Sequence, residues 1–479
     1  MAKTFIKKGV IPKSESISEW YTDVILRAEL ADYTPVKGCM VIRPYGYALW
    51  EAVQKFMDPL IKDRGVWNAY FPLFIPEQFL KKEKENVKGF SPEVAVVTYA
   101  GGAELKEKLI VRPTSETIMY EMYKQWVHSW RDLPVLINQW NNVVRWEKRT
   151  YLFMRTSEFL WQEGHCAHLT HEENMETVLW ALKMYEKTYR DLMAIYGIPG
   201  IKSESEKFAG AAKTFTFEIM MPDGKALQGC TSHDLGQNFS KSFDWTVLDQ
   251  SGKAINPHQN SWGFSTRSIG ALILAHGDDN GLKLPPQIAP IQTVIVPIFK
   301  NNTQEKILSY CHEVKETLKD FRVMLDTREG ETAGSKFNKW ELKGVPARLE
   351  VGEKEADSQT ITLVRRDTGE KTSLKLTEAA QELGRIFGLM QKQMFETHKA
   401  FTEQNTHQAS FYDEFKQIMK TKRGFIRTFW CENKECEQKI KQETKATTRC
   451  LPIDSKQNKG NCIYCCKPAA HEWLFAQAY

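Results

Sequence analysis

Nowhere in the 479 residues does an apolar run approach the ~20 residues needed to cross a bilayer. The N-terminal stretch MAKTFIKKGV also lacks the apolar core of a signal peptide. The first absence argues against a helical membrane span and the second against a secretory leader, so the expected location is cytoplasmic, with no membrane partner. Excess charge is missing too. The 65 Lys and Arg face 60 Asp and Glu, a net charge of +5, which is too slight to mark a general nucleic-acid binder and leaves room only for a local basic patch. Cysteine is sparse through most of the chain: Cys39, Cys166, Cys230 and Cys311 stand singly, whereas Cys431, Cys436, Cys450, Cys462, Cys465 and Cys466 crowd together. In a large chain expected to be cytoplasmic, such crowding points to metal rather than disulfides.

What remains is an ordinary globular composition, 42% apolar and 26% charged, in a chain too long for one core and so divided into two to four domains. The most informative stretch is QWNNVVRWEKRTYLFMRTSEFLWQEG, Gln139 to Gly164. It opens as a strand in which Arg145 and Glu147, two apart, share a face. A loop of Lys148 to Met154 follows, and a second strand brings Arg155 and Glu158 to Trp161 alongside as an antiparallel hairpin. Such alternating charge is either a solvated face or a site built for anions. Arginine suits the second use, because its planar fork clamps phosphate or carboxylate oxygens through paired donors.

The other periodicities predict a helix within 14–34, a helix over 46–63, a strand at 68–71, and a strand at 109–112 broken by Pro113. Thr114 or Ser115 is expected to cap a helix from Glu116 to Trp130. A helix over 172–196 precedes strands and tight turns through 206–244, and a strand through Gly263 runs into a helix near Ser268. Gly281 to Pro290 reads as a Pro-rich linker. An α/β alternation from Gln292 to Val364 predicts a small mixed sheet, and charged helix runs from Leu376 to about Lys420. Beyond it, Cys431-x4-Cys436 and Cys462-x2-Cys465 offer four thiolates for a closed tetrahedral zinc site, with Cys466 as a rival for Cys465 and Cys450 unpaired.

Arg145-Trp146-Glu147 with the loop and Arg155 resembles motif 2 of the class II aminoacyl-tRNA synthetases. The helix over 46–63 with its following strand is similar to motif 1, the usual homodimer interface, and Gly263-Phe264-Ser265-Thr266-Arg267 is similar to motif 3. The strings RPTSE, from Arg112 to Glu116, and RWEKRTYLFMRTSEFLWQEGH resemble the prolyl-tRNA synthetases, and the C-terminal cysteine knuckles are similar to the zinc-binding module of that family's archaeal and eukaryote-like branch. The resemblance implies an α+β chain: an antiparallel-sheet catalytic domain over 1–285, an α/β anticodon-binding domain over 286–400, and a small zinc-binding domain over 401–479.

The same resemblance implies roles. Arg145, Glu147, Arg155, Gln228, Thr231 and Arg267 would bind ATP, with Arg145 and Arg267 catalytic. Thr114, Glu116, Arg145, Glu158, Trp161, Phe208, His233, Ser261 and Gly263 would hold L-proline. Arg348, Glu350 and Lys354 are candidates for reading anticodon bases, and Cys431, Cys436, Cys462 and Cys465 for structural zinc. The implied activity is ligation of proline to tRNA(Pro) with ATP and magnesium in a homodimer, without an editing insertion between motifs 2 and 3. The alternative is a catalytically silent regulator that binds tRNA or protein. The terminal HEWLFAQAY predicts a buried strand at Trp473 to Ala476, and the resemblance brings Tyr479 toward the catalytic domain.

Overall fold

The computed structural model describes residues 9–79 and 93–479, so most of the N-terminal stretch read for a leader lies outside them. No helix among the described residues is long and apolar enough to cross a membrane. The largest sheet has eleven strands, and the charged hairpin lies toward one end of it, next to the edge strand Trp67–Asn68. Val135–Val144 pairs antiparallel with Glu158–His168, which pairs with His258–Ser265, then Ala226–Gly236, Lys213–Met220 and Ile198–Ile201. Behind this sheet the helix His171–Lys187 buries Val178, Leu182 and Tyr185, and the helix Pro44–Asp63 buries Leu49, Trp50, Val53, Met57 and Ile61. Periods of 3.6 and 2 thus meet in one core.

Several boundaries differ from expectation for identifiable reasons. The first helix stops at Arg27, because Glu29 turns left-handed at φ 62° and Ala31–Tyr33 goes on to pair with Met40–Ile42. The strand at 68–71 shrinks to Trp67–Asn68, since the Phe71 amide is taken by the Gln139 side chain instead of a ladder partner. The helix from Glu116 ends at Trp126: Val127 is extended, and Ser129 caps a separate 3₁₀ turn at Trp130–Asp132. Neither Thr114 nor Ser115 caps the helix, for both hydroxyls are engaged by carboxylates. The helix expected to reach Tyr196 closes as a π turn at Thr188–Leu192, and Pro199 lies inside a strand. The strand of Arg145 ends at Val144, leaving Arg145, Glu147 and Arg155 in the connecting loop.

Gly281 to Pro290 is no free linker. Leu282, Leu284, Ile288 and Ala289 are fully buried, and the Leu282 amide donates to the Leu342 carbonyl at 3.0 Å. The α/β unit that follows has five strands, in the order Val323–Leu325, Thr293–Pro297, Ala347–Val351, Thr360–Arg365 and Lys371–Lys375, of which the last was not expected. A 26-residue helix, Ala379–Gln404, then leads to the C-terminal region. There Glu472–Gln477 is an inner strand, between Phe425–Phe429 and Ala446–Pro452. Leu451 and Pro452 pair with Ile201 and Gly200, so the cysteine-bearing region extends the central sheet. A buried ionic knot lies on that seam: Glu218 takes Lys202 Nζ at 2.8 Å on one oxygen and Arg449 Nη2 at 2.6 Å on the other.

Candidate active site

Pro113 breaks its strand just before the helix Glu116–Trp126 and thereby points the first helical side chains into a cavity of about 490 Å³. Ten of the residues named from sequence line this cavity: Thr114, Glu116, Arg145, Trp161, Phe208, Gln228, Thr231, His233, Ser261 and Gly263. They come from six segments that only the sheet brings together. Arg145 anchors the mouth. Its Nε donates to the Pro113 carbonyl at 2.9 Å, and its guanidinium lies over Trp161 at 5.1 Å and Phe159 at 5.6 Å. It is exposed in the open cleft, yet protein crowds it enough that desolvation lowers its pKa, against the pull of Glu116, Glu163 and Glu147.

Glu147, Arg155 and Arg267 stand beyond the cavity proper, around its entrance. Arg155 Nε approaches Glu147 Oε1 at 3.9 Å. Arg267, the first residue of the helix Arg267–His276, donates Nε to the Met154 carbonyl at 3.0 Å. Burial lowers its pKa, and the charges of Arg145 and Arg155 lower it further. Three guanidiniums close enough to repel one another, with few acceptors, form a wall that an anion such as a triphosphate would relax. Among the residues named for proline, Glu158 alone does not line the cavity; Asn142 donates to it at 2.7 Å.

The floor is built differently. His233 packs its ring against Phe208 at 4.7 Å, and its Nδ1 meets the Thr214 hydroxyl at 3.0 Å. Burial, reinforced by the positive charges of His165 and Arg145, pushes its pKa down to about 3, so it stays neutral. A neutral ring pair suits an apolar ligand body. A Cβ at Gly263 would stand 3.4 Å from the Trp161 ring, so the indole closes the opposite side. Ser261 Oγ is buried with no hydrogen-bond partner among the described residues, a polar atom aimed at a ligand. The reading from sequence missed Glu163, His165, Thr214, Glu206 and Lys207, all in the lining. Trp161, Glu163 and His165 recur at every second position, which is the strand period that would have placed all three on one face.

Two further groups of residues come together elsewhere. The four sulfurs of Cys431, Cys436, Cys462 and Cys465 lie within 4.8 Å of one another, two of the separations being 3.7 Å. A tetrahedron of Zn–S bonds of about 2.3 Å has S–S edges of about 3.8 Å, so the cluster fits zinc. Cys466 is exposed at φ 58°, and Cys450 is buried in the sheet against Gly200, so neither joins the four. In the α/β unit, Arg348 pairs with Glu350 at 2.8 Å, lies over the Phe337 ring at 4.1 Å, and lines a second cavity with Arg365, Arg366 and Lys371. Lys354 stands exposed on the following short helix, apart from that lining.

Comparison with known proteins agrees with this geometry. Residues 98–276 match the model described as "tRNA synthetase class II core domain (G, H, P, S and T)", 292–386 that of an "Anticodon binding domain", and 412–479 that of "Prolyl-tRNA synthetase, C-terminal". The chain is 53% identical over 475 residues to a proline–tRNA ligase of Natranaerobius thermophilus, covering 98% of each. It is 49% identical to proline–tRNA ligase 2 of Clostridioides difficile, covering 100% of this chain and 99% of the relative. Among solved structures, prolyl-tRNA synthetase from Cryptosporidium parvum, complexed with halofuginone and AMPPNP, superposes with a TM-score of 0.94 at 40% identity, covering 98% of this chain and 99% of that one.

Proposed function

The chain belongs to the prolyl-tRNA synthetase family, and from that premise we propose which of its residues carry the two steps of proline ligation. It is a proline–tRNA ligase that uses ATP and charges tRNA(Pro). In the first step the proline carboxylate attacks the ATP α-phosphate, giving prolyl-adenylate and pyrophosphate. In the second, a terminal ribose hydroxyl of the tRNA takes the prolyl group from AMP. No side chain need act as a covalent nucleophile; positioning and charge carry the chemistry.

The observation that supports this assignment is that Arg145 shares one cavity with Thr114, Glu116 and Trp161, while Arg267, Arg155 and Glu147 stand at its entrance. Arg145 neutralises the α-phosphate and the attacking carboxylate. Glu147 and Arg155 hold the adenine side, with Gln228 and Thr231 beneath the ribose, and Arg267 faces the leaving pyrophosphate. Glu116 and Thr114 receive the imino nitrogen, while Phe208, His233 and Trp161 enclose the ring. Magnesium, which class II synthetases use with ATP, adds positive charge on the phosphates.

Residues 1–285, 286–400 and 401–479 serve as the catalytic, anticodon-binding and zinc-binding parts. Arg348 and Glu350 address anticodon bases, and Cys431, Cys436, Cys462 and Cys465 hold one structural zinc. The enzyme works in the cytoplasm as a homodimer, joined where Trp67 and Tyr70 are exposed by 78% and 72% beside the motif 1 helix. The test is Arg267→Ala. It should depress proline-dependent exchange of label between pyrophosphate and ATP as strongly as aminoacylation, whereas a defect seen only in transfer to tRNA would refute the assignment.

A further inference from the structure

Once the cavity is taken as the proline site, one buried group in it has no part: a histidine set among carboxylates. Glu163 and His165 lie two apart on one strand, and Glu116 begins the facing helix. Each offers an atom within 4.8 Å of the others, and their exposures are 1%, 1% and 4%. Two carboxylates this close and this dry remain anions together only if a cation shares the space.

Hydrogen-bond donors are divided unequally between the two. Glu163 accepts from the Ser115 amide at 3.1 Å, from Asn141 at 2.6 Å and from Gln139 at 3.3 Å; it also takes the Ser115 hydroxyl and faces His165 Nε2 at 2.9 Å. Glu116 receives the Thr114 hydroxyl and its own amide, and no other donor among the described residues. Glu163 is therefore an anion spent on the wall, and Glu116 the one turned to the ligand. His165 Nδ1 is buried without a partner in the cavity lining.

We propose that His165 is a positioning and specificity residue for proline: carried as the imidazolium between Glu116 and Glu163, it leaves the imino end of the pocket with one net negative charge, the complement of a single secondary ammonium. This rests on reading the cavity as the proline site. The groups that face His165 are Glu163 on its own strand, Glu116 and the Tyr120 ring, 5.9 Å away, on the helix, His233 on the next strand but one, and Arg145 on the loop. His233 is neutral, and the charge of Arg145 is set against the substrate carboxylate. Burial alone would lower the pKa of His165, but Glu116 and Glu163 together raise it. Glu163 is held at about 2 against its burial, chiefly by the hydrogen bond and charge of His165. Burial raises Glu116, so without the imidazolium beside it Glu116 is the carboxylate that takes up a proton and stops attracting the ammonium.

The test is the pH profile of the KM for proline in pyrophosphate exchange. Wild type should vary little between pH 6 and pH 8, while His165→Gln should show a KM about tenfold higher at the acid end than at the alkaline end, with kcat much less affected. Removing the competing carboxylate in the His165→Gln/Glu163→Gln double variant should lift Glu116 out of conflict, flatten the profile and recover most of that tenfold. A His165→Gln profile parallel to wild type, or a double variant weaker than His165→Gln, overturns the proposal. Glu116→Gln separates the two levels: if it leaves the KM for proline unchanged, the proline-site reading itself is wrong. Calorimetry of proline binding to the wild-type enzyme, in buffers of different ionisation enthalpy, needs no variant. Near-zero proton exchange is expected, and release of about one proton would contradict an imidazolium already in place.

Discussion

Arg145 concentrates the chemistry at the smallest scale, since it is wedged over Trp161 and tied to the Pro113 carbonyl, with its remaining donors turned to the cleft. Arg145→Ala should cost about 3 kcal/mol or more in kcat/KM for adenylate formation, because a charge-assisted phosphate contact is lost. Pyrophosphate-exchange kinetics measure this, and a loss smaller than tenfold would contradict the role. Arg145, Glu116 and Arg267 were legible in the sequence because their spacing sits in recognisable strings. Glu163 and His165 lay inside one of those strings and were still passed over, because their role depends on Glu116, and that contact exists only once helix and strand face each other. Thr114 and Ser115 misled in the opposite direction: residues that look like helix caps are here donors to buried carboxylates.

Elements met expectation where a period ran uninterrupted, as in the helix Pro44–Asp63, and departed from it where side chains competed with the backbone. The seam between the cysteine-bearing region and the central sheet had no signal at all, since Arg449 and Glu218 are 231 residues apart. Arg449→Met should destabilise the fold by about 3–5 kcal/mol, because it leaves one oxygen of a buried carboxylate bare, with Lys202 and the Thr216 hydroxyl both on the other. Glu218 has a pKa pushed down to about 2 from the ordinary 4.5: burial opposes ionisation, but Arg449 and Lys202 outweigh it. A depressed carboxylate stabilises the fold fully above about 4.5 and loses that contribution as pH falls toward 2. Denaturant unfolding at pH 7 and pH 3 should therefore show the margin of the wild type over Arg449→Met narrowing at the acid pH; an equal margin at both would contradict the linkage. The zinc knuckles belong to this scale as well. Elemental analysis of protein purified without added metal should give one zinc per subunit, and Cys462→Ser should lower both zinc content and melting temperature while largely sparing adenylate formation. Full zinc in that variant would remove Cys462 from the site.

Across the whole molecule, one sheet runs from the edge strand Trp67–Asn68 through the last strand of the chain, Glu472–Gln477, to the opposite edge at Thr406–Gln408, so the C-terminal region bears on the catalytic half directly. Its end returns to the strand of Gln228 and Thr231. The Tyr479 amide donates to the Ala226 carbonyl at 3.2 Å, and Lys225 lies over its ring at 4.8 Å. Deleting Ala478 and Tyr479 should weaken aminoacylation several-fold while zinc content and melting temperature stay near wild type; unchanged kinetics would leave the terminus a purely structural role.

The residues between the strand Glu158–His168 and the strand His258–Ser265 are taken up by the covering helix and its π turn, three strands of the sheet, the short helix Asn238–Ser242, the hairpin of Val247–Leu248 with Ala254–Ile255, and their connections. A pocket that grips a small ring through Phe208, His233 and Trp161 distinguishes ligands differing by a methylene or two by only about 1–3 kcal/mol each. The most direct measurement is therefore pyrophosphate exchange by the purified enzyme against each of the twenty amino acids. Strong exchange with proline, weak but measurable exchange with alanine and none with the charged amino acids is the expected pattern. Exchange absent with proline, or stronger with any other amino acid, would contradict the account.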